Sequence, residues 1–295
     1  MTPIRPRRSV LYMPGSNARA LEKARTLPAD ALILDWEDAV APEAKADARA
    51  RVAEALAQGG YGHREVVIRV NGLDTPWGEA DLVAAARAAP DAILLPKVSD
   101  PDTLTSVGNA LRRLGAPERM RVWAMVETPL AILRCEEIAR AARDGITRLA
   151  CFVMGTNDLS KETRARLTPG RAPMLPWLAT AVAAARAHEL DILDGVYNAL
   201  GDEAGLRAEC EQARDLGFDG KTLIHPNQVA VANEVFAPGA EEIEQARAII
   251  AAFDRPENQA KGAISLNGRM VERMHAEMAR RVVELGAAVA SRPQS

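Results

Sequence analysis

The chain has 295 residues, 48% of them hydrophobic and 26% charged, with a net charge of −3. That is the composition of an ordinary soluble globular protein with one large core, and it lacks the broad basic field that nucleic acid or an anionic membrane would select. The basic RPRR near the start runs into no apolar stretch of secretion-signal length, and no segment reaches the roughly 18 consecutive apolar residues of a membrane span. Cys135, Cys151 and Cys210 are odd in number, far apart and outside any CxxC pattern, which predicts packed, reduced thiols in a cytoplasm.

Eight short runs rich in Val, Ile and Leu follow one another: SVLYM (9–13), ALILDW (31–36), VVIRV (66–70), AILLPKV (92–98), RVWAMVE (121–127), LACFVMG (149–155), DILDGVY (191–197) and GKTLIH (220–225). The stretches between them carry helical periodicity and helix punctuation. Pro42 opens a helix that closes on Gly59. Asp100 caps one that has Pro101 in its first turn and stops at Gly115. Thr128 caps a third, from Pro129 to Gly145. Strands that alternate with helices pair in parallel through right-handed crossovers. Eight such units predict an α/β fold, a closed (β/α)8 TIM barrel; an open doubly wound sheet is the alternative. The barrel is expected over residues 1–238. Residues 239–295 exceed what eight units need and read as a C-terminal helical extension: one helix with an apolar stripe, a Gly-containing turn, and a final helix that covers the barrel or a neighbouring subunit.

In such a barrel the side chains at the C-terminal strand ends meet at one mouth. Those positions hold Asp35, Glu37, Asp38, Arg69, Asn71, Lys97, Glu127, Asn157, Asp158 and Asn198, and the opposite strand ends offer no comparable set. Each alone suits a helix cap or a surface ion pair; their convergence is the signal. The acids outnumber the bases, so a metal is implied. Hard oxygen donors without clustered Cys or His favour Mg2+, or Mn2+, over Zn2+.

His225, at the end of the last run, either reaches the rim or bonds to the backbone; His63, His188 and His275 read as surface residues. No Ser–His–Asp set assembles, and no Gly-rich phosphate loop appears. MPGSNARALEKA, from Pro14 onward, sets a helix N-terminus near the rim, where free N–H groups favour an anion, or is a plain helix start.

The blocks RSVLYMPGSNARALEKA, DALILDWEDAVAPEAKADAR, VVIRVNGLDTPWGEADL, ILLPKV, VWAMVETPLAIL and GFDGKTLIHPNQV closely resemble the citrate lyase beta-subunit family. That group includes malyl-CoA and citramalyl-CoA lyases within the HpcH/HpaI-type aldolases. The collinear match runs from about residue 8 to about residue 237. It implies a Mg2+-dependent barrel that makes or breaks a carbon–carbon bond beside a CoA thioester, with a 2-oxo acid as the other partner and a homotrimer or homohexamer as the assembly. By motif, the resemblance makes Glu127 of VETP and Asp158 of GTNDL the metal ligands. Arg69 of IRVNG becomes the residue that binds substrate oxygens and offsets enolate charge. Asp35, Glu37 and Asp38 of LDWEDAV would hold the metal's waters and orient Arg69 and Lys45, with Asp35 counted among the catalytic groups. Pro14, Lys45, Asn71, Lys97 and Glu127 would contact substrate.

Two departures from the family pattern stand out. Asp158 is preceded by Asn157 and followed by LSKETRARLTPGRAPMLPW in place of a shorter link, which alters the rim beside the metal. In the tail, malate-type lyases tend to read G-x-M-I-D-x-P, whose Asp acts from a lid, often on a neighbouring subunit. Here the stretch is GRMVERM, with Glu272 as the corresponding acid–base candidate. Two rivals to a stand-alone CoA-thioester lyase stay open: a metal-dependent aldolase on free 2-oxo acids without CoA, and a subunit of a larger citrate lyase complex.

Overall fold

The computed structural model describes residues 4–292. Eight parallel strands, β1 (Ser9–Pro14), β2 (Ala31–Asp35), β3 (Glu65–Arg69), β4 (Ala92–Leu95), β5 (Arg121–Val126), β6 (Leu149–Met154), β7 (Asp191–Asp194) and β8 (Gly220–Leu223), pair in sequence order. β1 bonds to both β2 and β8, so the sheet closes into a barrel and the open-sheet alternative falls away. The strands are buried along nearly their whole length, as expected where helices cover the outside and side chains fill the inside.

Alternation along each strand selects what fills the interior. Val10, Ala31, Ile33, Val67, Ala92, Leu94, Trp123, Met125, Cys151 and Val153 form one continuous core. Two residues on from Ile33, Val67 and Met125 come Asp35, Arg69 and Glu127, so the same parity that packs the core aims these three polar side chains into the mouth. Asp35 and Arg69 are also register partners on adjacent strands.

The opposite end is not bare, which corrects the sequence reading. Arg7, just before β1, donates through Nε and Nη2 to Glu65 at 2.7 and 2.8 Å, pairs with Asp191, and stacks 5.0 Å above the Trp123 ring. Glu65 and Asp191 share the inward parity of Val67 and Leu193, so these charges plug the barrel floor. Their mutual pairing is what allows them to leave water.

The helices largely follow the expected punctuation. Asp100 caps Pro101–Arg113 by accepting the Thr103 N–H at 2.7 Å, and Gly59 ends Lys45–Gln58 in left-handed backbone. The helix expected from Thr128 to Gly145 is broken: Pro129–Leu133 and Cys135–Arg140 meet at Arg134, whose φ of −108° leaves the helical region. His188, expected at the surface, has a side chain only 4% exposed, with Nε2 3.0 Å from Glu136.

By internal contacts the described residues divide into two compact units, one of residues 7–233 and one of residues 4–6 and 234–292. In the second unit, helices Ala240–Asp254 and Arg273–Ala290 pack on each other; a Cβ on Gly286 would lie 2.7 Å from Ile243, so the close approach requires glycine there. The expected Gly-containing turn is a β-hairpin, β9 (Ala263–Leu266) and β10 (Arg269–Glu272). Its loop is Asn267–Gly268, with φ of 51° and 76°, the positive values that a two-residue hairpin turn requires. Among the described residues no helix is long and apolar enough to cross a membrane.

Candidate active site

Arg69 organises one side of the mouth. Its Nε and Nη2 donate to the two oxygens of Asp35 at 2.7 and 2.5 Å, a forked pair that fixes the guanidinium plane. Its Nη1 reaches Glu37 at 2.8 Å and Asp38 at 3.1 Å, and its face lies 4.9 Å from the Tyr12 ring. Asp35 is 1% exposed and also accepts the backbone N–H groups of Glu37 and Ala39, which bends the chain after β2 back over the mouth. Burial works against the Arg69 charge, but Asp35, Tyr12 and Glu37 outweigh it and hold the guanidinium charged at any working pH.

Glu127 forms the other side. It is 2% exposed, and Oε1 accepts the Lys97 backbone N–H at 2.7 Å. Lys97 adopts a φ of 51°, left-handed backbone unusual for a lysine, and this turn aims its N–H at Glu127. The second oxygen, Oε2, lies over Gly155, where a Cβ would stand only 2.4 Å away. Gly155 continues the inward parity of Cys151 and Val153, so a missing side chain opens the space that Glu127 enters. Asp158 sits in the first turn of the helix Thr156–Thr163, past the strand end where the sequence placed it, and its Oδ1 lies 3.9 Å from Lys97 Nζ. Lys97 thus touches both carboxylates, through its backbone and its ammonium.

The electrostatics fit a divalent cation between Glu127 and Asp158. Burial, with Glu37 nearby, pushes the Glu127 carboxyl up to about 8, and burial with Asp38 and Asp35 nearby pushes Glu37 up to about 7 despite Arg69. A buried acid that resists ionising for want of positive charge is what a bound cation relieves. Among the described residues no three His, Cys, Asp or Glu side chains converge as a metal cage. Two hard carboxylate donors suit Mg2+, which keeps waters and substrate oxygens in its shell.

These raised values give a signed pH dependence for the metal-free protein. The folded state binds protons that the unfolded state releases near 4.5. The resulting stability is complete below about 4.5 and is lost as pH rises through about 7 and about 8. Mg2+ competes with those protons, so it should raise the melting temperature more at pH 8 than at pH 6. Thermal melts with EDTA and with Mg2+ check this; a Mg2+ shift that does not change with pH would count against the site. A second expectation concerns Gly155→Ala. The new methyl meets Glu127, and Mg2+ affinity should fall about 10- to 100-fold, the range seen when a ligand loses its orienting partner. Calorimetric titration with Mg2+ tests it, and an unchanged dissociation constant would refute the packing argument.

The other expected site residues divide. Lys45 is buried, but its ammonium donates to the backbone carbonyls of Trp36 and Glu37 at 2.9 and 2.8 Å and lies over the Trp77 ring; it meets no carboxylate of the acid cluster, contrary to expectation. Asn71 donates from Nδ2 to the Trp36 carbonyl and to Asp81, so its amide braces the loop beneath the mouth. Pro14 ends β1, and its carbonyl accepts the Asn17 N–H at 3.1 Å. His225 takes the backbone-bonded alternative, its Nδ1 accepting the Asn227 N–H. Asn157 and Asn198 exchange amide hydrogen bonds at 3.3 and 2.8 Å. Glu272 belongs to the second unit, where it is the N-cap of Arg273–Ala290 and its backbone N–H donates to His275 Nδ1 at 2.9 Å. Sequence reasoning passed over Tyr12 and Gly155; both stand at inward-parity positions, the signal that could have found them.

A model of the family described as HpcH/HpaI aldolase/citrate lyase matches residues 8–226, three quarters of the chain and all eight strands. The chain belongs to this family. Among its relatives is a (3S)-malyl-CoA thioesterase of Cereibacter sphaeroides, 50% identical over 286 residues that cover 97% of this chain and 96% of the relative. The citrate lyase subunit beta of Escherichia coli is 34% identical over 273 residues, 91% of this chain and 89% of that one. The crystal structure of the protein CitE from Mycobacterium tuberculosis, in complex with magnesium, acetoacetate and coenzyme A, superposes with a TM-score of 0.75 at 27% identity, over 96% of this chain and 98% of that one. The HpcH/HpaI chain is therefore an enzyme, and its TIM barrel is the fold of its structural relatives.

Proposed function

We propose that the chain is a Mg2+-dependent lyase for a 3-hydroxyacyl-CoA thioester of the malyl type. It breaks the bond between the hydroxyl-bearing carbon and the carbon next to the thioester carbonyl, releasing a 2-oxo acid and a shorter acyl-CoA, or forms that bond in reverse. The observation that carries this reading is the forked Arg69–Asp35 pair at the same mouth as Glu127 and Asp158, which Lys97 links through its backbone N–H and its ammonium. Support also comes from the malyl-CoA relative and from the magnesium and coenzyme A held by CitE.

Glu127 and Asp158 would hold the Mg2+ ion. When bound, it supplies Lewis acidity and a template for the carboxylate and adjacent oxygen of the 2-oxo acid. Arg69, locked in plane and permanently charged, stabilises the oxygen on which negative charge develops as the bond breaks. Asp35 holds Arg69 there, and Glu37 and Asp38 steady its Nη1 and order water at the rim. The ammonium of Lys97, half exposed, is held charged against the desolvation of its site by Asp158 and Glu127, and meets the substrate carboxylate. Pro14, Lys45 and Asn71 shape the loops that bound the substrate. Residues 239–295 act as the extension, with Glu272 moving the hydroxyl proton from a neighbouring copy. Met270, Met274 and Met278, all exposed and four apart, support contact between copies in a homotrimer or homohexamer. Three free, buried cysteines support a cytoplasmic setting.

A second reading, hydrolysis of the thioester itself, is favoured by the name of the 50% identical relative and by Glu37, whose value near 7 suits a general base toward water. Purified protein, Mg2+ and malyl-CoA, followed by mass spectrometry, separate the two. Acetyl-CoA with glyoxylate marks the lyase; free CoA with malate marks the hydrolase. Turnover of free 2-oxo acids alone would instead identify a CoA-independent aldolase. No turnover without a partner protein would leave a citrate lyase subunit.

A further inference from the structure

The long link after Asp158 is anchored from below. Arg171, at a φ of 52°, turns its guanidinium inward, and Nη1 donates to both oxygens of Asp194 at 2.7 and 2.9 Å while Nε donates to Gln212 at 3.1 Å. Lys221 donates to Asp194 and to Glu209, each at 2.6 Å. Asp194 and Lys221 are register partners on the outer wall of β7 and β8, and Gln212 and Glu209 lie on the helix Glu203–Leu216. Two cations and two anions, almost completely buried, therefore pin one short segment to a strand pair and a helix. Breaking a buried pair leaves an uncompensated charge, so the segment is held in place.

Between that segment and residues 196–199 lies a cavity of about 360 Å3, within the range of small-ligand sites. Its walls include Leu167, Pro169, Val196, Tyr197, Ala199 and Ala208, and Leu167 leaves 42% of its surface exposed. Thr156 also lines it and opens the helix that carries Asp158. The reciprocal amide bonds of Asn157 and Asn198 tie that helix to the far wall. Asp194 and Glu209 balance Arg171 and Lys221, and Asp202 adds one negative charge, so among the described residues the cavity offers a phosphate no free cation while its apolar walls reward methylene groups.

We infer that this cavity is a specificity subsite that receives an aliphatic chain of the thioester substrate, and that Arg171 is the residue positioning its wall. The inference rests on the CoA-thioester reading. One chain chemistry has two sources, the acyl group or the thiol arm, and the experiment separates them. Ala208 lies on the exposed face of its helix and makes no bond in the ion cluster, so Ala208→Trp fills the cavity while every cluster residue is kept. Two ratios of kcat/KM are measured for wild type and variant: long against short acyl chains on CoA, and CoA against N-acetylcysteamine thioesters of one acyl group. The variant should lower one ratio about tenfold or more, the scale of discrimination by an apolar pocket, and the ratio that moves names the source. Leu167→Ala, which widens the mouth, should move the same ratio the other way and serves if the tryptophan variant fails to fold. Both ratios unchanged in the folded variants would overturn the inference. Wild-type protein that turns over no thioester would instead overturn the functional reading.

Discussion

Glu127→Gln should lower kcat/KM by about 1,000-fold or more, roughly 4 kcal/mol of transition-state stabilisation, while leaving the barrel intact. The amide has the volume of the acid, and its carbonyl oxygen still accepts the Lys97 N–H, so the packing around Gly155 is preserved. What disappears is the charge that draws a cation beside Asp158. The same substitution should make the metal-free protein more stable near pH 8, since the native carboxyl, displaced to about 8, no longer ionises in a buried site. Activity, Mg2+ titration and thermal melts on one preparation test both halves. Retained Mg2+-dependent turnover would remove Glu127 from the site.

Arg69→Met should both unfold and inactivate more readily than any rim substitution. It strands Asp35, 1% exposed, without its forked partner, and loss of one side of a buried pair costs about 3–5 kcal/mol. Glu37 and Asp38 lose their cation as well, so negative charge accumulates in the mouth. A urea series should show the midpoint falling with little change in slope. Asp35→Asn in the Arg69→Met background should recover part of that stability and none of the activity, because it removes the stranded charge but restores no cation. Arg69→Lys keeps a charge without the planar fork and should still lose about 100-fold in kcat/KM, the scale of a single electrostatic donor. A full-activity lysine variant would mean that charge alone, and not orientation, is used.

The eight-strand rhythm was legible because buried parallel strands demand unbroken apolar runs, and helix ends demand capping residues such as Asp100. Asp35, Arg69 and Glu127 were legible because they stand at the C-terminal ends of apolar runs, which a closed barrel gathers at one mouth. The kink at Arg134 was not, since the apolar periodicity continues across it. Nor was the hairpin after Ala263: its Asn267–Gly268 turn is marked in the sequence, but the strands are only four residues each and weakly apolar.

Local chemistry thus determined from the sequence alone which residues end strands, cap helices and share a face, because those rules reach only a few positions along the chain. Which distant charges neutralise one another was decided in three dimensions. Arg7 finds Glu65 and Asp191, Arg171 finds Asp194, and Lys45 finds backbone carbonyls in place of the acids beside them. A carboxylate's free energy depends on every charge and every missing water around it, so only barrel closure could leave Glu127 resisting ionisation within reach of Lys97 and Asp158.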